Sequence, residues 1–168
     1  MFSEDQHKAR LITYLTAGYP HPEETVDLLL AMQEGGADVI ELGVPFTDPQ
    51  ADGATIQHAN QEALKHGVSL RDCFRMVKDA RGRGLTTPVV LMGYFNPFMA
   101  LGLDTLMEMS VGSGVDGFIV VDLPPEEGAA LITAASQAGL AYIPLVSPTT
   151  TDERIQYLSD NADSFLYC

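Results

Sequence analysis

Short β-branched and apolar runs alternate along the chain with stretches whose apolar residues recur at helical spacing, the pattern of repeated strand–helix units around a parallel sheet. Leu11 to Leu15 predicts a first strand, closed by Thr16-Ala17-Gly18-Tyr19-Pro20. Pro22 then sits where a first helical turn tolerates it, with Glu23 and Glu24 at the positive end of the helix dipole. That helix carries Val26, Leu29 and Leu30 on one side to about Gln33 and stops at Gly35-Gly36. Asp38 to Leu42 predicts the second strand. Helical spacing resumes through Ile56, Ala59, Ala63 and Leu64, and Ser69 is an N-cap for a further helix with Leu70, Cys73, Phe74 and Val77 on its apolar side. Gly82 and Gly84 end it. Pro88 to Met92 is the third strand and opens into an aromatic loop, Gly93 to Phe98. A helix over Leu103 to Val111 leads to the fourth strand, Asp116 to Val121. Pro125, Glu126 and Glu127 restart a helix that Gly139 ends, Ala141 to Val146 is the fifth strand, Asp152 and Glu153 open a last helix, and Ser164 to Cys168 is the sixth strand.

Continuous apolar strands fit burial on both faces, and right-handed crossovers leave two outcomes, a doubly wound open sheet or a barrel. The unusual polar residues choose between them. Glu41, Asp52, Tyr94, Asn96, Asp122 and Tyr167 fall at or just after the carboxyl ends of strands in nearly every unit. A barrel draws its site from many such loops, whereas an open sheet gathers its ligand at one crevice. A full barrel has eight units in roughly 250 residues. The expectation is an α/β fold, a TIM (β/α)8 barrel that is incomplete, with about six βα units in one domain over residues 1–168 and no linker inside it.

Glu41 closes the second strand where a core strand would carry another aliphatic, so its carboxylate must be paired, hydrogen-bonded or pushed toward its neutral form. Asp52 follows in a loop punctuated by Pro45, Pro49 and Gly53. Two carboxylates in different environments can divide acid and base roles. Each has a structural alternative: a bond from backbone or from the Tyr167 hydroxyl for Glu41, a helix N-cap for Asp52, a cap or turn for Asp122, and plain packing for Tyr14, Tyr94, Phe95, Phe98 and Tyr167.

Other chemistries lack their residues. No GxGxxG or GxxxxGK[ST] phosphate loop is present, Gly82-x-Gly84 and Gly112-x-Gly114 read as helix terminators, and no Gly-x-Ser-x-Gly elbow or Cys/His pair supports acyl transfer. A formal charge of −14, from 23 acidic against 9 basic residues, argues against nucleic acid or an anionic membrane as partner, while an apolar fraction of 46% supplies a core. No apolar run reaches membrane-spanning length and the amino terminus lacks the marks of a leader, so a cytoplasmic protein is expected. Cys73 and Cys168 are read as reduced and structural, and His7, His21, His58 and His66 as surface residues without metal-ligand spacing.

Five segments resemble one family, the α subunit of tryptophan synthase: LTAGYP at 15–20, GGADVIELGVPFTDPQADGATIQ at 35–57, VLMGYFNP at 90–97, GVDGFIVVDLPPEE at 114–127 and IPLVSPTTTDER at 143–154. They run through the chain in family order, and the wording of the later segments is most similar to the fungal type, in which the α domain is fused ahead of a β domain. The resemblance implies a carbon–carbon lyase that cleaves indole-3-glycerol phosphate to indole and glyceraldehyde 3-phosphate in tryptophan biosynthesis. It implies that Glu41 acts on C3 of the indole ring, that Asp52 takes the proton from the indole nitrogen, and that Tyr167 positions the glutamate. Tyr14, Met92, Tyr94, Val121 and Leu145 match positions lining the indole pocket. The segments 46–57 and 96–98 match the surface that meets a β subunit or fused β domain. That partner holds pyridoxal phosphate, whereas this domain is expected to need no cofactor or metal.

Thr47 stands for the family's usual serine and Ala54 for its usual proline. The family's next segments beyond the position of Cys168, a Ser-Arg pair and a Gly-Val-Thr-Gly loop, lie outside these residues, as do the strands that hold the substrate phosphate. The expectation that follows is little or no activity for this chain alone, with the edges of strands one and six unpaired. The alternative is a non-catalytic fragment that binds and modulates the β subunit.

Overall fold

The computed structural model describes residues 9–160, 162 and 164–168. Five parallel strands form one sheet in sequence order: β1 (Ile12–Thr16), β2 (Val39–Gly43), β3 (Val89–Gly93), β4 (Gly117–Val120) and β5 (Ala141–Tyr142). The helices between them are α1 (Thr25–Glu34), α2 (Ala54–Lys65), α3 (Leu70–Gly82), α4 (Phe95–Leu101), α5 (Leu103–Ser113), α6 (Ala129–Gln137) and α7 (Asp152–Asp160), with a 3₁₀ turn at Pro22–Glu24 before α1. This is the expected partial barrel. Among the described residues β1 pairs only with β2.

Successive side chains of a strand point to opposite faces, and each face has its own core. Outward residues Ile40, Leu42, Leu91, Phe118 and Val120 pack with the helices. Inward residues Val39, Val90, Ile119 and Ile143 are fully buried and make a second, dry cluster with Ile12, Met92, Leu145, Phe165 and Tyr167 around it. Burying one such aliphatic contributes about 1.5–3 kcal/mol. At the amino ends of the strands the Arg81 guanidinium closes the frame: it donates to the carbonyls of Leu85, Thr87 and Gly114 and to the Asp116 carboxylate at 2.8 Å, which in turn accepts the Val89 N–H.

Ser69 is the N-cap of α3, where the Asp72 carboxylate accepts both its backbone N–H at 2.9 Å and its hydroxyl at 2.6 Å. Gly114 ends α5 in the left-handed region at φ +81°.

Three expectations need correction. The fifth strand stops at Tyr142, because Pro144 has no N–H for the ladder. Pairing resumes as one bridge, with the Tyr167 N–H donating to the Pro144 carbonyl at 3.0 Å and the Val146 N–H to the Tyr167 carbonyl at 2.8 Å. The sixth strand is reduced to that bridge among the described residues, and Asn161 and Asp163 just before it lie outside them. Secondly, the aromatic loop is largely the helix α4: the Asp122 carboxylate accepts the Phe95 N–H at 2.7 Å, and Phe98 is fully buried edge-on against Phe118. Thirdly, Pro125 to Gly128 form a turn whose N–H groups at Glu127 and Gly128 bond to the Pro124 carbonyl, so α6 begins only at Ala129.

Gly43 lies on the inward face at the carboxyl end of β2, two residues beyond Glu41. A Cβ there would overlap the Tyr14 phenol, so the missing side chain is what lets that ring lie across β2. Gly43→Ala is expected to lower stability by about 1–3 kcal/mol through overpacking. A double-mutant cycle with Tyr14→Ala, read by urea denaturation, should give a strongly less-than-additive loss. Additive losses would show that the ring does not depend on the gap.

Candidate active site

The inward face of β2 reads Val39, Glu41, Gly43. Val39 belongs to the dry inner cluster, and Glu41 stands one step above it at the barrel mouth, only 4% exposed. Among the described residues no hydrogen bond or cation reaches its carboxyl group. Burial alone pushes it up to about 7. The alternative of an acid bonded to backbone or to the Tyr167 hydroxyl is therefore not what the fold builds.

Asp52 is held differently. The N-cap of α2 is Gly53, and no side chain caps that helix, so the N-cap alternative also fails. One carboxylate oxygen, Oδ2, accepts the Asn60 Nδ2–H at 3.0 Å, and the Tyr94 hydroxyl also bonds to the carboxylate. Burial raises this carboxyl, and the bonds from Asn60 and Tyr94 oppose the rise. The same Tyr94 hydroxyl accepts the Ala51 N–H at 2.9 Å, while its ring stacks on Phe46 at 5.2 Å.

Tyr14 and Tyr167 complete the group. Tyr14 is pushed up to about 12, first by burial and further by the negative charges of Asp52 and Glu41, against a bond between its hydroxyl and Thr16. Tyr167 is raised by burial and then by Glu41 and Asp52. Both phenols thus lie within electrostatic reach of both acids, although one acid comes from a strand and the other from a loop.

Met92 and Leu145 border the inner cluster, and Val121 follows β4 with its N–H donated to the Gly93 carbonyl. Tyr94 is 5% exposed, and its hydroxyl anchors the Asp52 loop. A cavity of about 450 Å³ lies between that loop and the ends of β3 and β4, lined by Phe46, Tyr94, Asn96, Val121 and Asp122 among others. Asp122 accepts the first N–H of α4, from Phe95, rather than capping the turn before Pro124 and Pro125, the role its alternative gave it.

Asn60 was missed by sequence reasoning. A signal was available, since this amide falls four residues after Ile56 and beside Ala59 and Ala63, on the side of α2 that is buried. Ala54 occupies the first position of α2, where a proline would also fit, and the Thr47 hydroxyl bonds to Asp48 at 2.8 Å. Cys73 is buried and Cys168 exposed, so only the first is structural in the sense expected. His21, His58 and His66 are exposed, and His7 lies outside the described residues. Among the described residues no group of three or more His, Cys, Asp or Glu side chains could hold a metal ion, and no helix is long and apolar enough to cross a membrane.

The raised Glu41 carboxyl fixes a pH dependence of stability. Below about pH 4.5, the ordinary value, folded and unfolded states both keep the proton; between 4.5 and 7 the folded state keeps it and the unfolded state releases it, so stability falls as pH rises through that window. The full penalty above pH 7 is about 3 kcal/mol. Glu41→Gln should therefore raise the unfolding free energy at pH 8 by up to about that amount and bring no such gain at pH 4. An equal effect at both values would rule out an uncompensated acid.

The family model described as tryptophan synthase alpha chain matches residues 2–168. The tryptophan synthase alpha chain of Marinobacter nauticus is 49% identical over 164 residues, covering 98% of this chain and 61% of that one. The tryptophan synthase of Saccharomyces cerevisiae is 47% identical over 165 residues, 98% of this chain and 23% of its own length. Bacterial and yeast relatives thus stand about level, and the expected likeness to the fungal type is not distinguished. Among solved structures, the tryptophan synthase subunit alpha of Legionella pneumophila superposes with a TM-score of 0.89 at 42% identity, over 95% of this chain and 62% of that one. A chain described with the tryptophan synthase a2b2 complex of Pyrococcus furiosus gives 0.89 at 44%, over 94% and 67%. The chain spans about three fifths of the length of the bacterial relatives it matches. With its barrel-type sheet and its two acids at one mouth, the chain belongs to the tryptophan synthase alpha chain family.

Proposed function

We propose that this chain carries the acid–base pair for retro-aldol cleavage of indole-3-glycerol phosphate to indole and glyceraldehyde 3-phosphate. The observation that carries the reading is the contrast between the two acids: Glu41 is buried, without a hydrogen bond to its carboxyl group among the described residues, and raised toward neutrality, while Asp52 is held by two donors that favour its ionised form. Protonated Glu41 delivers its proton to C3 of the indole ring, and the positive charge that develops on the ring nitrogen faces the Asp52 carboxylate, which accepts the N1–H. The Glu41 carboxylate then takes the proton of the glycerol hydroxyl next to C3. The C3–C bond breaks, its electron pair returns to the ring as the nitrogen recovers its proton, and the hydroxyl carbon becomes the aldehyde. Glu41 ends protonated, as it began. A carboxyl group with its midpoint near the working pH is suited to both halves of this cycle. Tyr167, on the bridge to Leu145, positions Glu41, and Tyr14, Met92, Val121 and Leu145 form the wall for the indole ring.

The partner proposed is a tryptophan synthase β subunit or β domain, which supplies the pyridoxal phosphate chemistry. The loop bearing Thr47, Asp48 and Gln50, together with Asn96, is exposed and suits contact with it, whereas Phe98 is buried and does not. Incubation with indole-3-glycerol phosphate in the presence of the β subunit, which draws off indole, should release glyceraldehyde 3-phosphate. Glu41→Gln and Asp52→Asn should each slow the release by about 10²–10⁴-fold without lowering the melting temperature. Undiminished release in either variant would refute its role, and binding of the β subunit with no release in the parent protein would replace the reaction by a modulating role.

A further inference from the structure

Asn60 stands out because it is a polar side chain only 3% exposed on a helix whose buried side is otherwise alanine. Its amide nitrogen is spent on Asp52 Oδ2 at 3.0 Å, and its own Oδ1 is buried without a hydrogen-bond partner among the described residues. Leaving a buried acceptor unpaired destabilises the fold, so the residue's one made bond is its reason to be there. An ionised carboxylate only accepts, and the amide N–H₂ is the only donor Asn offers to it. Its bond occupies Oδ2 and ties the loop to the second turn of α2, eight residues on.

We infer that Asn60 is the positioning residue for Asp52: through its single N–H bond it keeps the carboxylate ionised and aimed at the mouth with Oδ1 uncommitted to the amide. The inference rests on the reading of Asp52 as the group that faces the indole nitrogen. The groups that face Asp52 are the phenols of Tyr14 on β1, Tyr94 after β3 and Tyr167 on the bridge to Leu145, and Glu41 on β2 shares two of those phenols with it. No cation contributes among the described residues. Asn60 and Tyr94 are then the two donors that offset burial, and of the two only the Asn60 side chain makes no other hydrogen bond among the described residues.

The test is the carboxyl titration of Asp52, followed by carbon NMR in the substrate-free protein. Asn60→Leu keeps the side chain's bulk and removes the donor, and the Asp52 midpoint should rise by about one pH unit, a tenfold loss of the ionised form below it, while the Glu41 midpoint stays. Asn60→Asp keeps the shape and sets a like charge against Asp52, so the pair should titrate in two separated steps. If Leu at this position unfolds the chain, the Asp variant decides alone. An unmoved Asp52 midpoint in a folded variant would overturn the assignment, as would a Glu41 midpoint shifting equally. These midpoints are read without substrate, so an absence of cleavage would overturn the proposed reaction and leave the Asn60 assignment standing.

Discussion

A parallel sheet covered on both faces leaves its inward residues no polar surroundings except at the strand ends, and the site of this chain follows from that constraint. Val39, Val90, Ile119 and Ile143 fill the interior layer and exclude water from it. One pleat further along lie Glu41, Met92, Val121 and Leu145. Glu41 therefore rests on a dry aliphatic floor, and the desolvation that raises its carboxyl comes from packing that the fold needs in any case. A domain's net stability is only about 5–15 kcal/mol, so a penalty of about 3 kcal/mol on one side chain has to be offset elsewhere, chiefly by the large outer core between sheet and helices. The Arg81 clamp holds the opposite end of the strands, which keeps the floor fixed beneath the mouth.

The second acid reaches the same mouth by a different route. Asp52 is on a loop, and a loop carboxylate left to itself would turn toward water. Tyr94 prevents this by engaging Ala51 and Asp52 through one hydroxyl while its ring stacks on Phe46, and Asn60 holds the same carboxylate from α2. Tyr14 and Tyr167 then bring both charges into a single electrostatic group. Gly43 belongs to this arrangement, because any side chain there would displace the Tyr14 ring.

Much of this was legible in the order of residues. Continuous apolar runs located β1 to β4 to within a residue or two, and the placement of polar residues at strand ends chose the barrel. Misread positions have identifiable causes. Pro144 interrupts the ladder of the fifth strand, a backbone effect that an apolar run conceals. Phe95 to Leu101 is helical because a distant carboxylate, Asp122, satisfies its first N–H and Phe98 finds a deep site beside Phe118, and neither partner is local. Tyr94 has a use that its strand-end position does not reveal, since its hydroxyl accepts the Ala51 N–H of a loop more than forty residues earlier. The bond from Asn60 joins residues eight apart across a loop and a helix start, a pairing that no periodicity reports.

The two acids are supported differently, and that difference suits the different roles proposed for them. Glu41 is fixed by strand pairing on both sides, with Tyr14 opposite it on β1 and Val90 on β3, so it cannot relax toward solvent to relieve its charge. Rigidity of the backbone keeps its proton affinity high, and a hydrogen-bond donor beside it would undo that by favouring the carboxylate. Asp52 has the reverse problem: its backbone is free enough to relax, so side-chain donors must both hold it in place and keep it ionised. The acid proposed to release and recover a proton thus sits on a strand without donors among the described residues, and the base proposed to stay charged sits on a loop with them.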